Sequence, residues 1–544
     1  MKIQLPEHVK QIIHRLQQEG YDAYAVGGCV RDTLLGRSPQ DWDITTSAKP
    51  QVVKSLFSHT IDTGIAHGTV TVMLDHTGYE VTTYRIDGEY EDARHPKTVT
   101  FTGNLVEDLK RRDFTINAMA YNDTAGLVDA FDGIGDLKRH VIRCVGIPHD
   151  RFGEDALRML RAVRFAAQLG FSIEEKTRQA VADLADNLQK VSAERIQTEM
   201  VKLLTSAHPE EMRTVYELGL SRVFLPEFDR MMETPQITKH HCYSVGEHTI
   251  HAMQEVQQDR ILRLTMLLHD VAKPVCVTTD EKGQNHFKGH PAEGAEMARV
   301  ILRRLKFDNE TIKRVCLLVR YHDDRPAVTP RNVRRAISRI GVENMEALFA
   351  VKRADTLAQS MYERQKKLSY IDAYEETYRE ILKEHQCVQK KDLAINGRDL
   401  IAQGMDVIFF NPVDSSACST VMDKVKAAGI DMVVFNAKAD GYEPGTDYLF
   451  LGIGECYDQG AEVARWVSQN YKKEGTMRIL HLTGSMSQSW SLDRGQGFVE
   501  TIEAERPDHE FVSTQCANCS RIDAQQMTLN VLQATPVSYT HLRA

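Results

Sequence analysis

The sequence predicts an α+β head followed by an all-α neck and body, with a C-terminal α/β fragment. Three observations predict it. The strand-like Ala23-Tyr24-Ala25-Val26 runs into Gly27-Gly28-Cys29-Val30-Arg31-Asp32, Leu35-Gly36 and Asp41-Trp42-Asp43-Ile44-Thr45, so that a glycine pair, a short helix and a second strand follow within a few turns of chain. In the middle of the chain helical spacing governs, as in the stripe Leu157, Leu160, Val163, Ala167. After Gly404 an alternation of strands and helices begins anew. A chain of 544 residues is too long for one core and suggests about three to five domains.

Composition narrows the class before any motif does. Hydrophobic residues make up 42%, as in an ordinary soluble protein, and no apolar run reaches the roughly 18 residues of a membrane helix. Met1 to Glu19 has the pattern of a polar amphipathic helix (Val9, Ile12, Ile13, Leu16) with no secretory apolar core, so a cytoplasmic protein without a membrane partner is expected. The net charge of −9 does not mark a nucleic-acid binder, and any such contact must come from local basic strips. The ten cysteines are mostly scattered, as suits a reducing compartment. Cys516-Ala517-Asn518-Cys519 has no second pair or histidine at zinc spacing and is read as incidental.

The glycine pair Gly27-Gly28 lets the backbone turn tightly and point N–H groups at a phosphate, and Arg31 adds a fixed cation in the first helical turn. Asp41 and Asp43, at i and i+2, project from one face of the next strand. Lys49 to Phe57 reads as a helix. Gly68–Leu74 and Tyr79–Tyr84 then read as strands joined by a turn at Asp75 to Gly78. A hairpin beside the Asp41/Asp43 strand brings Glu80 near that pair, although alone Glu80 is a surface strand residue. Arg85 to Phe101 is polar and aperiodic, so a mobile loop is expected. Lys110-Arg111-Arg112-Asp113-Phe114-Thr115-Ile116-Asn117 places a basic triplet before a helix, alone an ordinary solvated face.

Arg151 to Gly170 reads as one helix, with Gly170 where a C-cap belongs. Asp155, Arg158, Arg161 and Arg164 recur every three residues as a drifting polar row. Spacing alone makes them a salt-bridged exposed face. Yet a carboxylate beside a guanidinium also presents an acceptor and a donor fork, which can pair with the Watson–Crick edge of cytosine or adenine.

Taken together, the Gly-Gly-x-Val-Arg-Asp string, Asp41-x-Asp43 and Arg111-Arg112-Asp113-Phe114-Thr115-Ile116-Asn117 resemble the class II nucleotidyltransferases, that is, the bacterial CCA-adding enzymes and poly(A) polymerases. The resemblance runs from about residue 20 to about 230. It implies that Asp41, Asp43 and Glu80 form the acidic catalytic site, with Asp41 and Asp43 holding Mg2+. It implies that Gly28, Arg31 and Arg112 grip the triphosphate, that Asp155 and Arg158 read the base, and that Arg161 and Arg164 complete the nucleotide site. Ser192-Ala193-Glu194-Arg195-Ile196 matches the family's next helix, and the full-length loop at Arg85–Phe101 implies addition of the terminal A.

A second centre follows. His248, the pair His269-Asp270 and the distant Asp355 lie on helix-like segments, with His286, His290, His322 and Asp323 between. An adjacent His-Asp closing an apolar helix puts two ligand groups where core residues sit more easily. The pattern resembles an HD domain, which implies that His248, His269, Asp270 and Asp355 bind a divalent metal and that His290 and His322 serve a second one. Two readings stay open: a metal-dependent phosphohydrolase, or a helical body packed against tRNA that keeps the motif as a feature of its fold.

Lys391-Asp392-Leu393-Ala394-Ile395-Asn396-Gly397-Arg398-Asp399-Leu400 resembles the opening of the last helical piece of CCA-adding enzymes, but the chain then turns to strands and helices. These are a strand from Asp406, a helix at Cys418–Ala428, a strand at Met432–Asn436, the strand Tyr448–Gly452, a helix around Gly460–Asn470, the strand Arg478–Leu482, and Asp493-Arg494-Gly495-Gln496-Gly497-Phe498. This part resembles the middle of a periplasmic sugar-binding protein, which implies that Arg494 and Asn436 hold sugar hydroxyls. Half of a two-lobed clamp cannot close on a ligand. Ser538-Tyr539-Thr540-His541-Leu542-Arg543-Ala544 resembles translated sequencing-adapter read-through. The expectation is a foreign fragment joined near Gly404, a natural two-function fusion being the other reading.

The domains expected are 1–145, nucleotidyltransferase head; 146–235, helical neck with the base-reading helix and RNA-binding region; 236–365, HD-type domain; 366–404, truncated helical tail; 405–537, partial α/β fragment; 538–544, adapter-derived tail. The expected activity is addition of CCA to tRNA 3′ ends from CTP and ATP. A poly(A) polymerase or A-only enzyme is the alternative within the same chemistry, and an HD phosphohydrolase the alternative outside it. Arg331-Asn332-Val333-Arg334-Arg335 is either a contact to the tRNA backbone or a plain solvated helix.

Overall fold

The structure, a computed structural model, describes residues 2–88 and 99–384, then 407–410, 419–435, 440–452, 456–470, 476–483 and 489–516. The chain divides into two compact units, Met1–Val388 and Gln389–Ala544. Each is described by itself.

The first unit opens with a helix at Glu7–Gln18 that buries Val9, Ile12, Ile13 and Leu16, the stripe read from the sequence. Behind it lies a seven-stranded sheet built from β1 (Ala23–Val26), β2 (Ile44–Thr46), β3 (Thr60–Gly64), β4 (Thr69–Leu74), β5 (Thr77–Thr83), β8 (Met119–Asn122) and β9 (Gly126–Asp129), in the order β3-β4-β5-β2-β1-β8-β9. β6 (Arg85–Asp87) and β7 (Val99–Phe101) form a separate antiparallel pair. The expected hairpin is β4–β5, turning at Asp75 and His76, both with positive φ (45° and 63°), as a tight two-residue hairpin turn requires. β5 runs parallel to β2 with Val81 opposite Ile44, and this register sets Glu80 opposite the position of Asp43.

Three sequence expectations need correction here. Asp41 and Asp43 precede β2, which begins at Ile44. The ladder nevertheless reaches back to them, because the Val26 N–H donates to the Asp43 carbonyl at 3.0 Å. The Arg85–Phe101 segment is strand-paired at both its ends, and Arg94-His95-Pro96 lies outside the described residues. The expected single helix Arg151–Gly170 is two, Pro148–Glu154 and Leu157–Leu169. They are separated at Asp155, whose extended backbone (φ −139°, ψ 102°) leaves its Oδ1 to accept from Leu157 N at 3.1 Å. Aspartate competes well for such helix-start amides, and that preference breaks the helix. Gly170 closes it in the left-handed conformation, φ 70°.

The HD region is all-helical. Val245–Gln254, Arg260–Leu268, His290–Arg304, Asn309–Tyr321 and Val342–Ala358 carry its main core. A neighbouring core joins Pro330–Ile340 to the helix Arg364–Lys383 through Val333, Ile337, Phe349, Tyr374 and Tyr378. That helix therefore packs as part of the HD body across residue 366, where the sequence suggested a tail. The Lys391–Leu400 motif and Gly404 lie outside the described residues.

The second unit is parallel α/β. Val407–Phe410, Asp431–Phe435 and Phe450–Gly452 form one parallel sheet, and Met477–Thr483 pairs in parallel with His509–Cys516. Helices Ser419–Ala427, Cys456–Asn470 and Ser489–Glu505 alternate with them. The Asp493–Phe498 glycine string lies inside the last helix. A Cβ on Gly460 would strike the Arg494 carbonyl, and one on Gly497 the Tyr457 carbonyl. These glycines serve helix-to-helix approach, so Arg494 is a helical residue whose Nε donates to Gln459 Oε1 at 2.8 Å. Asn436 and residues 538–544 lie outside the described residues. No helix among the described residues is long and apolar enough to cross a membrane.

Candidate active sites

The Gly27-Gly28 turn is built by conformation. Gly27 has φ +84°, a region closed to most side chains, and a Cβ there would stand 3.0 Å from Arg112 Nη1. The bare backbone thus lets the Arg112 guanidinium lie over the turn. Gly28, Arg31, Asp41, Asp43 and Arg164 line one cleft of about 700 Å³. Burial raises the proton affinity of Asp43, which Arg112 opposes and Asp41 reinforces. Glu80 is raised by burial and then by Asp43 and Asp41. Three carboxylates that penalise one another's charge beside two arginines are a donor set suited to a hard divalent cation and a polyphosphate. The neighbouring Cys29 thiol is pushed up to about 11 by burial and by Asp43, so it stays neutral.

Behind the cleft runs a chain of ion pairs and hydrogen bonds. Arg31 donates through Nε to Asp32 (2.8 Å) and through Nη1 to Asn117 Oδ1 (2.7 Å). Asn117 donates to Asp113 (3.2 Å), which receives Arg161 through Nε and Nη2 at 2.9 and 2.6 Å. Arg161 also lies 3.6 Å from Glu199, which takes Arg164 Nε at 2.8 Å, while Arg164 Nη1 reaches Gln168 at 2.7 Å. The Phe165 ring packs against the guanidinium groups of Arg31, Arg161 and Arg164. Burial works against charge on Asp113, but Arg161, with help from Asn117, holds its carboxyl well below the usual range.

This chain changes the reading of the arginine row, which is not an exposed face. Arg158 and Arg164 are buried, and Arg161 commits its guanidinium to Asp113 and Glu199. The side chains of Asp155 and Arg158 take other partners: Asp155 Oδ2 takes Arg195 Nη2 at 2.7 Å, and Arg158 donates to Glu154 (2.7 Å) and to the carbonyls of Arg151 and Arg111 (3.1 Å each). Asp113, Asn117 and Glu199 were missed as functional residues. Asp113 and Asn117 stood in the Arg-Arg-Asp-Phe-Thr-Ile-Asn string, but nothing local marks Glu199.

The histidines converge. His248, His269, Asp270, Asp355, His290 and His322 are all buried. His269, His290 and His322 each set Nδ1 on a backbone carbonyl at 2.7–2.8 Å (Met266, Phe287, Val319), and His248 on that of Ala358 at 3.4 Å. A carbonyl only accepts, so Nδ1 carries the proton and the Nε2 lone pairs point inward. They meet in two facing pairs, His248–His269 and His290–His322, each at 3.2 Å. Asp270 stands between, Oδ2 3.2 Å from His269 and Oδ1 3.4 Å from His290, and Asp355 lies 3.0 Å from His248. Lone pairs facing lone pairs around carboxylates form a cradle for cations, and two groups, His248/His269/Asp270 and Asp270/His290/His322, are compact enough to hold one each. His286 and Asp323 fall outside, paired with Asp280 and Arg325. His241 was missed: its ring lies 4.9 Å from that of His248, and burial followed by Lys273 pushes it down to about 2.

Residues 23–143 match the poly A polymerase head domain, and 170–232 the family described as "Probable RNA and SrmB- binding site of polymerase A". Residues 238–392 match the HD domain, and 395–540 the periplasmic binding protein domain. The chain is 58% identical over 192 residues to a CCA-adding enzyme of Lactobacillus delbrueckii subsp. bulgaricus, covering 35% of this chain and 48% of that protein. It is 48% identical over 234 residues to a CCA-adding enzyme of Levilactobacillus brevis, covering 43% and 59%. The chain therefore spans about half the length of the curated relatives it matches. The crystal structure of the Bacillus stearothermophilus CCA-adding enzyme in complex with CTP superposes with a TM-score of 0.56 at 31% identity, covering 72% of this chain and 86% of that one.

Proposed function

Because the chain belongs to the family that comprises the CCA-adding enzymes and poly(A) polymerases, we propose that it adds C, C and A to tRNA 3′ ends, without a nucleic-acid template, from CTP and ATP. The observation that carries this reading is the cleft shared by Asp41, Asp43, Gly28 and Arg31, with Arg112 favouring the charge on Asp43 and with Asp43 and Asp41 disfavouring that on Glu80. Asp41 and Asp43 hold the divalent cations, magnesium in this proposal, and Glu80 adds the third negative charge. When bound, the metal activates the primer 3′-hydroxyl and neutralises the departing pyrophosphate.

The remaining roles belong to side chains. Gly28, Arg31 and Arg112 grip the triphosphate. Asp155 and Arg158 select the base, and to face it they release Arg195 and Glu154. Arg164 borders the nucleotide, while Arg161 positions the site through Asp113. In the HD region a divalent metal sits on His248, His269, Asp270 and Asp355. The proposed domains are 1–145, 146–235, 236–365, 405–537 and 538–544, with the 366–404 piece beginning inside a helix that packs on the HD body, and the setting is the cytoplasm.

The test offers tRNA lacking its 3′ CCA with CTP alone, ATP alone, or both. The expected products are two added nucleotides with CTP and three with both. Incorporation of ATP but never CTP would reject the proposal in favour of an A-only enzyme or poly(A) polymerase.

A further inference from the structure

Three guanidinium groups gather on one aromatic ring. The guanidinium carbons of Arg31, Arg161 and Arg164 lie 5.1, 5.3 and 3.5 Å from the centre of the Phe165 ring, all within the reach of a cation–π contact. Arg161, Arg164 and Phe165 share the helix Leu157–Leu169, where Arg161 and Phe165 are one turn apart. Arg31 comes from the helix Gly28–Leu34, so the ring joins the two. Phe165 is 4% exposed, and the Phe114 ring meets it at 79° with centres 5.7 Å apart. A core ring is ordinarily packed among apolar side chains; this one also has three cations against it.

Each of the three has acceptors as well. Arg31 donates to Asp32 and Asn117, Arg161 to Asp113, and Arg164 to Glu199 and Gln168. The acceptors and the ring differ in what they consume. Asp32, Asn117, Glu199 and Gln168 occupy N–H donors, the same donors that a phosphate needs. An aromatic face attracts the charge through its quadrupole and occupies none of them. Arg31 and Arg164 both line the cleft with Asp41 and Asp43. When a polyphosphate draws their N–H groups away from those acceptors, the ring is the support that stays. Burial weighs against the charge of Arg164 and Glu199 favours it, so a guanidinium that turns from Glu199 has the ring as its remaining partner.

We propose that Phe165 is a positioning residue for the triphosphate: its ring holds the guanidinium groups of Arg31 and Arg164 at the cleft wall while their N–H groups exchange protein acceptors for phosphate oxygens. This rests on the reading of the cleft as the nucleotide site. Arg161, bound to Asp113, ties the ring to the head.

The test measures the affinity of the full chain for CTP and for ATP by calorimetry, with magnesium and without tRNA, and then KM for nucleotide and for CCA-less tRNA in the addition assay. Phenylalanines carrying one, two or three fluorines at position 165 keep the shape of the ring and progressively remove the negative potential of its face. Nucleotide affinity is expected to fall stepwise along this series, reaching a loss of about tenfold with three fluorines, as two weakened cation–π contacts imply. KM for nucleotide rises in step, while KM for tRNA stays near its native value. Phe165→Leu, which has no face, is expected to match the trifluorinated ring. Phe228→Leu makes the same cut at a similarly buried ring of the same core and leaves nucleotide affinity unchanged. An affinity that does not follow the fluorine count, or an equal loss in Phe228→Leu, overturns the proposal while the nucleotide reading stands. A native chain that binds neither CTP nor ATP overturns that reading and the proposal with it.

Discussion

Asp43 is pressed from several sides: burial and Asp41 disfavour its charge, Arg112 favours it, and Glu80 stands across the β2–β5 register. Asp43→Ala is expected to abolish nucleotide addition to CCA-less tRNA while leaving metal content at the HD cradle intact. Loss of both in a folded variant would show that the centres are not separate. Asp113 makes a different prediction. It is 8% exposed and takes two Arg161 nitrogens, so Asp113→Asn removes the nearer of the two carboxylates that face the half-buried Arg161, leaving Glu199 at 3.6 Å, at a cost of about 1–3 kcal/mol. Its carboxyl is depressed in the folded state; its stabilisation is therefore complete above the ordinary aspartate pKa and is lost as the pH falls below it. Urea unfolding at pH 7 and pH 3 is expected to show a large gap between the native protein and Asp113→Asn at pH 7 and a smaller one at pH 3. These residues were unequally legible. The spacing of Asp41 and Asp43 and the position of Glu80 were readable because strand geometry fixes neighbours. The partners of Asp155 and Arg161 were not, because Arg195, Asp113 and Glu199 arrive from distant parts of the chain.

At the scale of elements, the turn before the Gly28–Leu34 helix carries most of the local specification. Gly27 combines a left-handed backbone with the close approach of Arg112. Gly27→Ala is expected to cost about 1–2 kcal/mol in backbone strain and to raise KM for CTP by displacing the guanidinium, whereas Gly103→Ala, where a Cβ meets open space, should change KM little. Steady-state kinetics on the two variants decide it. Helix existence was legible throughout the neck and HD regions because their apolar stripes are long. The break at Asp155 was not, since its side chain satisfies an amide that an apolar periodicity does not register. The string Asp493–Phe498 misled for a related reason: glycine marks turns and close helix contacts alike, and only the facing carbonyls distinguish them.

For the whole molecule, the division after Val388 separates the two units, and every candidate site residue except Arg494 and Asn436, expected from resemblance to contact a sugar, lies in the first. A chain ending at Val388 is expected to unfold cooperatively and to add nucleotides at a rate within about twofold of the full chain. A severalfold loss would assign the second unit a part in the reaction. Inside the first unit the ion-pair chain crosses the proposed 145/146 boundary: Arg31, Asn117 and Asp113 belong to the head, Arg161, Arg164 and Glu199 to the neck. This head and this neck are for that reason matched to each other. A foreign head grafted onto this neck has to bring its own acceptor for Arg161, or Glu199 alone is left to balance both Arg161 and Arg164 at the seam.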